Sequence, residues 1–271
     1  MPSRPACLAI LVAWTLATFG LVRRDLLPEL LLSPPPDLRS TARTGQAESS
    51  TRWAIQVLDA KEPGSVRSVG RAVTNSKVRP DEWIELSSLV TFDSSDLLKG
   101  TPFASNDHLR LEIRNSCLID PSGNPKLLKA DVLEAGGDRP LMSVTGEFRD
   151  RSLFLKSTGP VPALNRIVTI PYEPRTMVQN AFSPTDRLPG LQVGQRWESK
   201  IVSPLTGRAE VVRVEVERQA EIFWDRGLVK TFVVVQRMPP LSARTWVRTD
   251  GVVLRQEVPL PFVKLLLERQ P

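Results

Sequence analysis

The chain has 271 residues, enough for one large or two small domains, with 36 Lys and Arg against 30 Asp and Glu, a net charge of +6 and one histidine. The basic balance does not read as a nucleic-acid surface, because the arginines alternate with acids along strand-like segments and no run of like charge or recognition-helix pattern occurs. One histidine and two cysteines, Cys7 and Cys117, supply too few ligands for a zinc site and no disulfide framework.

The first predicted element is a membrane segment. From Pro5 to Val22 no residue is charged and most are apolar, with Arg4 on one side and Arg23 and Arg24 on the other. A spanning helix needs roughly 17–25 residues, so residues 7–22 predict one N-terminal transmembrane helix and residues 1–24 a membrane anchor. Two other readings stay open: a secretory signal cleaved near Thr18-Phe19-Gly20, and a buried helix, which apolar residues on every side of the wheel disfavour. The flanking charges are nearly balanced. An N-terminus in the cytoplasm, with the following domain outside it, is expected from that domain's character. Cys7 precedes the apolar run, so it reads as an ordinary buried thiol and not as a lipid-accepting cysteine.

Residues 25–50 read as a spacer: Pro34-Pro35-Pro36 stops any helix and favours polyproline II, and the residues after it are small, polar and aperiodic. From Thr51 the period becomes two. Trp53, Ile55 and Val57 alternate with Arg52, Ala54 and Gln56; Leu109, Leu111 and Ile113 alternate with His108, Arg110, Glu112 and Arg114; Val212, Val214 and Val216 alternate with Arg213, Glu215 and Glu217. Turn signals separate such runs at Pro121–Pro125, Gly136–Asp138, Asp150-Arg151, Asp225–Gly227 and Asp250-Gly251. Helical patterning after the anchor is confined to Ser94–Lys99. Residues 51–271 therefore predict an all-β domain built on one large, curved, mostly antiparallel sheet. The Thr158–Pro162 loop is the place where such a sheet would divide.

No catalytic signature stands out. A nucleophile–histidine pair could use only His108, which lies in the alternating strand with Arg110, Glu112 and Arg114 and reads as a solvated strand residue. The carboxylate pairs Asp81/Glu82 and Asp93/Asp96 fall in turns and Glu215/Glu217 on an outward strand face. No phosphate loop or Gly-x-Ser-x-Gly elbow is present. We expect no enzyme activity, no metal and no cofactor.

The most distinctive stretches are Leu191-Gln-Val-Gly-Gln-Arg-Trp197 and Trp246-Val-Arg-Thr-Asp-Gly-Val-Val-Leu-Arg255. The first is a glycine turn feeding a strand that opens on an aromatic, the second a hairpin whose Asp250-Gly251 can take positive φ. Together they resemble bacterial envelope β-proteins of the lipoprotein-carrier-like half-barrel kind, over about residues 188–257. The resemblance implies a half-barrel facing the periplasm, whose concave side holds acyl chains or a partner in some relatives and is a filled core in others. It carries over no functional residue, because the matching positions are turn chemistry.

The expected function is that of a membrane-tethered, single-pass, extracytoplasmic β-domain that binds an apolar ligand such as lipid, or an envelope protein. Trp53, Trp83, Trp197 and Trp246 are the candidate lining residues. The alternative is an accessory subunit of a membrane complex whose sheet is closed on its own core. A shared cavity lined by the four tryptophans separates the first from the second.

Overall fold

The computed structural model describes residues 14–20, 33, 48–58, 66–95, 109–172, 177–178, 184–203, 208–238, 241–259 and 263–271. Among the described residues, fifteen strands form one sheet: β1 Glu48–Leu58, β2 Val66–Val78, β3 Ile84–Asp93, β4 Arg110–Ile119, β5 Pro125–Glu134, β6 Pro140–Arg149, β7 Ser152–Thr158, β8 Arg166–Pro171, β9 Met177–Val178, β10 Arg196–Ser203, β11 Arg208–Trp224, β12 Gly227–Met238, β13 Leu241–Arg248, β14 Val253–Pro259 and β15 Lys264–Arg269. The expected all-β architecture is observed, and the sheet is undivided at Thr158–Pro162, where a short 3-10 turn, Pro162–Leu164, joins β7 to β8.

The strand order is β8-β7-β6-β5-β4-β3-β2-β1-β15-β14-β13-β12-β11-β10-β9. Two meanders thus grow outward from a seam in which β1 lies antiparallel to β15. All neighbours are antiparallel except β9 and β10, which pair in parallel over two residues. The sheet is open, with β8 at one edge and β9 at the other.

The turn chemistry explains the meander. Asp150-Arg151 and Asp225-Arg226 all have positive φ, from 46° to 66°, the conformation of a type I′ two-residue hairpin loop whose twist suits the flanking strands. Between β13 and β14, Gly251, at φ 85°, is the one left-handed residue of a longer turn, its N–H donating to the Arg248 carbonyl at 2.8 Å. Gly70 has a different reason. A Cβ there would stand 2.3 Å from the Thr91 carbonyl oxygen, so β2 and β3 meet at a distance only glycine allows.

Alternation places Trp53, Ile55, Val57, Ala72, Val90, Ile113, Val212, Val214, Val216, Leu265 and Leu267 together in the main apolar core. Their polar neighbours lie on the other face. There Glu215 receives Arg196 at 2.7 Å and Arg237 at 2.6 Å across the strands, and Arg213 reaches Glu198 at 3.0 Å. Much of the arginine excess is answered in this way by cross-strand carboxylates. A second cluster, Leu128, Ala130, Val144, Leu153, Leu155, Ile170 and Tyr172, fills the wing from β5 to β8.

Of the predicted membrane segment, residues 14–20 form a helix and the remainder lies outside the described residues. These seven residues alone do not span a bilayer, and no helix among the described residues is long and apolar enough to do so. Cys7 and His108 also lie outside the described residues. The spacer is described only at Ser33, whose N–H donates to the Arg196 carbonyl at 2.6 Å, and from Glu48, where β1 begins.

Candidate functional site

Residues 184–195, the strap that leads into β10, lie against the core face of the sheet. Leu188 and Leu191 are buried in the main core beside Trp53, Phe92 and Trp197. The backbone is held by the turn between β13 and β14: Leu188 N–H donates to Gly251 O at 2.7 Å, Val253 N–H donates to Asp186 O at 3.0 Å, and Arg187 bridges Val252.

The strap brings one carboxylate inward. Thr74 Oγ1, on β2, donates to Asp186 Oδ1 at 2.7 Å and accepts from Trp53 Nε1 at 3.3 Å. Arg269, at the end of β15, donates to Thr51 Oγ1 at 3.1 Å and to the Asp186 carbonyl at 3.4 Å, and its guanidinium lies 6.0 Å from the Trp53 ring centroid. Burial pushes the Asp186 carboxyl above its ordinary range, and the Thr74 hydrogen bond and the Arg269 charge only partly counter it. Burial likewise lowers Arg269, with the positive charges of Arg248 and Arg187 adding to the effect and Asp186 opposing it. This arrangement is a buried polar node stitching four chain segments together. The chemistry it offers is positioning and charge: the Thr74 and Thr51 hydroxyls and the Asp186 carboxyl are engaged in hydrogen bonds within the node.

Two clefts border the node. One, of about 910 Å³, is walled largely by the paired rows Ala54–Arg71–Thr91–Glu112 and Arg52–Val73–Leu89, which lie on the face opposite Trp53. It is therefore a charged groove on the outer face. The other, of about 470 Å³, lies where Ser50, Thr51 and Arg52 meet Trp224, Arg248 and Arg269. Among the described residues no three His, Cys, Asp or Glu side chains gather as metal ligands.

The four candidate tryptophans do not share a face. Trp53 and Trp197 are 1% and 4% exposed and pack in the same core. Residues directly opposite each other in neighbouring strands share a face. Trp246 lies opposite Arg255, Arg255 opposite Glu268, and Glu268 opposite Ala54, so Trp246 is on the outer face. There the Arg255 guanidinium, paired with Glu268 at 2.6 Å, covers its ring at 5.9 Å. Trp83 sits in the turn between β2 and β3, its carbonyl accepting from Arg79 N–H at 2.8 Å. Of the four, Trp53 alone borders the larger cleft. Asp186, Thr74 and Arg269 were not candidates from sequence, because they stand far apart in the chain and none lies in a motif.

No protein-family model matches this chain, and no curated protein does. Among solved structures, the chain is similar to the crystal structure of a beta-barrel-like protein of the domain of unknown function DUF1849 from Brucella abortus. The identity is 12%, the match covers 81% of this chain and 95% of that one, and the TM-score is 0.53. The shared feature is a beta-barrel-like fold. The resemblance of Leu191–Trp197 and Trp246–Arg255 to lipoprotein-carrier half-barrels is thereby narrowed to that broader architecture.

Proposed function

We propose that this chain is a single-pass membrane protein, tethered through residues 7–22, whose extracytoplasmic β-domain is a non-enzymatic accessory subunit acting on an envelope protein partner. The observation that carries the reading is the occupied core face. Trp53 and Trp197, the groups best suited to an apolar ligand, are 1% and 4% exposed and belong to one filled core that also contains Leu188 and Leu191 of the chain's own strap. A ligand would have to displace both leucines and break the strap's backbone bonds to Gly251 and Val253. The two clefts described above carry arginines in their walls, Arg52, Arg71 and Arg110 in the larger and Arg52, Arg248 and Arg269 in the smaller, which an acyl chain would have to desolvate.

The tether is supported by composition, in the uncharged and mostly apolar run from Pro5 to Val22. The absence of catalysis is supported by the thiol, because burial pushes Cys117 up to about 12 and removes its thiolate at neutral pH. The test uses the full chain in lipid nanodiscs, titrated with oleate and with lysolipid while tryptophan fluorescence is followed. A flat response, with the chain resisting carbonate extraction and crosslinking in native membranes to one envelope protein, is expected. A saturable shift that Trp53→Phe abolishes would establish a ligand site and overturn the accessory reading.

A further inference from the structure

We infer that the tip of the β11–β12 hairpin is a lipid-docking element, with Phe223 and Leu228 entering the interface of an anionic bilayer and the neighbouring arginine cleft facing its headgroups. The inference rests on the tether and goes beyond it, since it says which end of the domain meets the membrane.

Strand β12 pairs with β13 only from Thr231, which lies opposite Arg248, the last residue of β13. Glu221–Lys230 therefore runs past β13 as a two-stranded ribbon, closed by the Asp225-Arg226 turn. One side of the ribbon is fixed. Ile222, Trp224 and Val229 pack on Val252, Leu254 and Trp246, and Trp224 Nε1 donates to the Arg269 carbonyl at 2.9 Å. The other side presents Phe223 directly opposite Leu228, 66% and 70% exposed. Among the described residues of the β-domain, only Ile167 is as exposed a large apolar group, and it belongs to β8 at the far edge of the sheet. A rigid ribbon that ends in an uncovered aromatic–aliphatic pair has the form of an interfacial anchor.

Charge selects the kind of surface. The tip's own ions balance, Arg226 and Lys230 against Glu221 and Asp225. The arginines lie in the cleft that Trp224 shares, which Arg52, Arg248 and Arg269 line, with Arg187 in electrostatic range and Asp186 and Asp250 opposing them. Arg248 is committed to Asp250 through two bonds of 2.9 and 2.7 Å, whereas Arg269 donates to neutral oxygens. Ser50, near the start of β1, lines this same cleft, while the spacer's Ser33 meets the domain at Arg196 of β10.

The test is hydroxyl-radical footprinting of the full chain reconstituted into phosphatidylcholine vesicles with and without phosphatidylglycerol. Phe223 and Leu228 are expected to oxidise several-fold more slowly in the anionic vesicles, with Ile167 unchanged and high salt removing the difference. Rates for Phe223 and Leu228 that match in both vesicles, from a chain that resists carbonate, would overturn the inference and leave the tether standing. Release of the chain by carbonate would overturn the tether instead. In that case the same footprint with added vesicles still decides: protection of the pair supports docking, and its absence refutes it.

Discussion

Truncating Leu188 to alanine asks whether the strap is part of the core or a detachable cover. Leu188 is buried in the main cluster, its N–H is bonded to Gly251, and the residues on either side are held to β14 and its turn. Collapse around the vacated volume is blocked on one side. A Cβ at Gly251 would already stand 2.8 Å from Pro189 Cα, so turn and strap are in backbone contact and can approach no further. The cavity should therefore persist, which puts the loss in the upper part of the range for Leu→Ala, about 3–5 kcal/mol. Urea unfolding of the full chain in nanodiscs, followed by tryptophan fluorescence, should show an earlier midpoint with an unchanged slope, and a hydrophobic dye should bind no more strongly before the transition than it does to wild type. A loss below about 1 kcal/mol, with dye bound saturably by the folded variant, would mean that the strap opens over a ligand chamber.

Thr74→Val should cost about 2–4 kcal/mol, because it strands Trp53 Nε1 and Asp186 Oδ1 together, and Thr74→Ser should recover most of it; equal stability of the valine and serine variants would dissolve the node as a structural device. Asp186→Asn should change the pH dependence with a definite sign. The folded carboxyl is raised, so the folded state holds its proton more tightly, and the wild type should gain stability relative to the variant as pH falls from neutral through the folded value toward the ordinary carboxylate range. Glu215 and Asp250, held low chiefly by hydrogen bonds from Arg237 and Arg248, act in the opposite sense and are common to both proteins, so a flat or reversed difference curve would contradict the raised carboxyl. Gly70→Ala should lower Tm by about 4–12 °C, since its methyl meets the Thr91 carbonyl and β2 or β3 has to shift; an unchanged melt would show that the close approach is slack.

The strands were legible because alternation is a local signal. Val212, Val214 and Val216 point to the core while Arg213, Glu215 and Glu217 point away, as the pattern requires. What alternation does not carry is parity from one strand to the next. The grouping of four tryptophans depended on that parity, and register shifts lie at Ile55/Gln56, Val216/Arg218 and Trp246/Val247. A slip of one residue exchanges faces, so the placement of Trp246 opposite to Trp53 needed the pairing itself. The Asp186 node was hidden for a related reason: Thr74 and Arg269 lie 112 and 83 residues from Asp186, and each alone is an ordinary strand residue. The Asp225-Arg226 turn was visible in sequence, but the exposure of Phe223 and Leu228 was not, because it follows from how far β12 outruns β13.

The seam between β1 and β15 sets a timetable for the chain. Trp53 lies opposite Arg269, so the central pairing of the sheet joins residues more than two hundred positions apart. Strands β2 to β8 can each pair with the strand before them as they emerge from the ribosome. One edge of β1 then waits unpaired until the whole second meander has been made. Closing so long a loop is the slow event in such a topology. Throughout that interval β1 is a template for the wrong strand, including β15 of another copy, and the fidelity of assembly rests on how long a nascent edge can be kept from its neighbours.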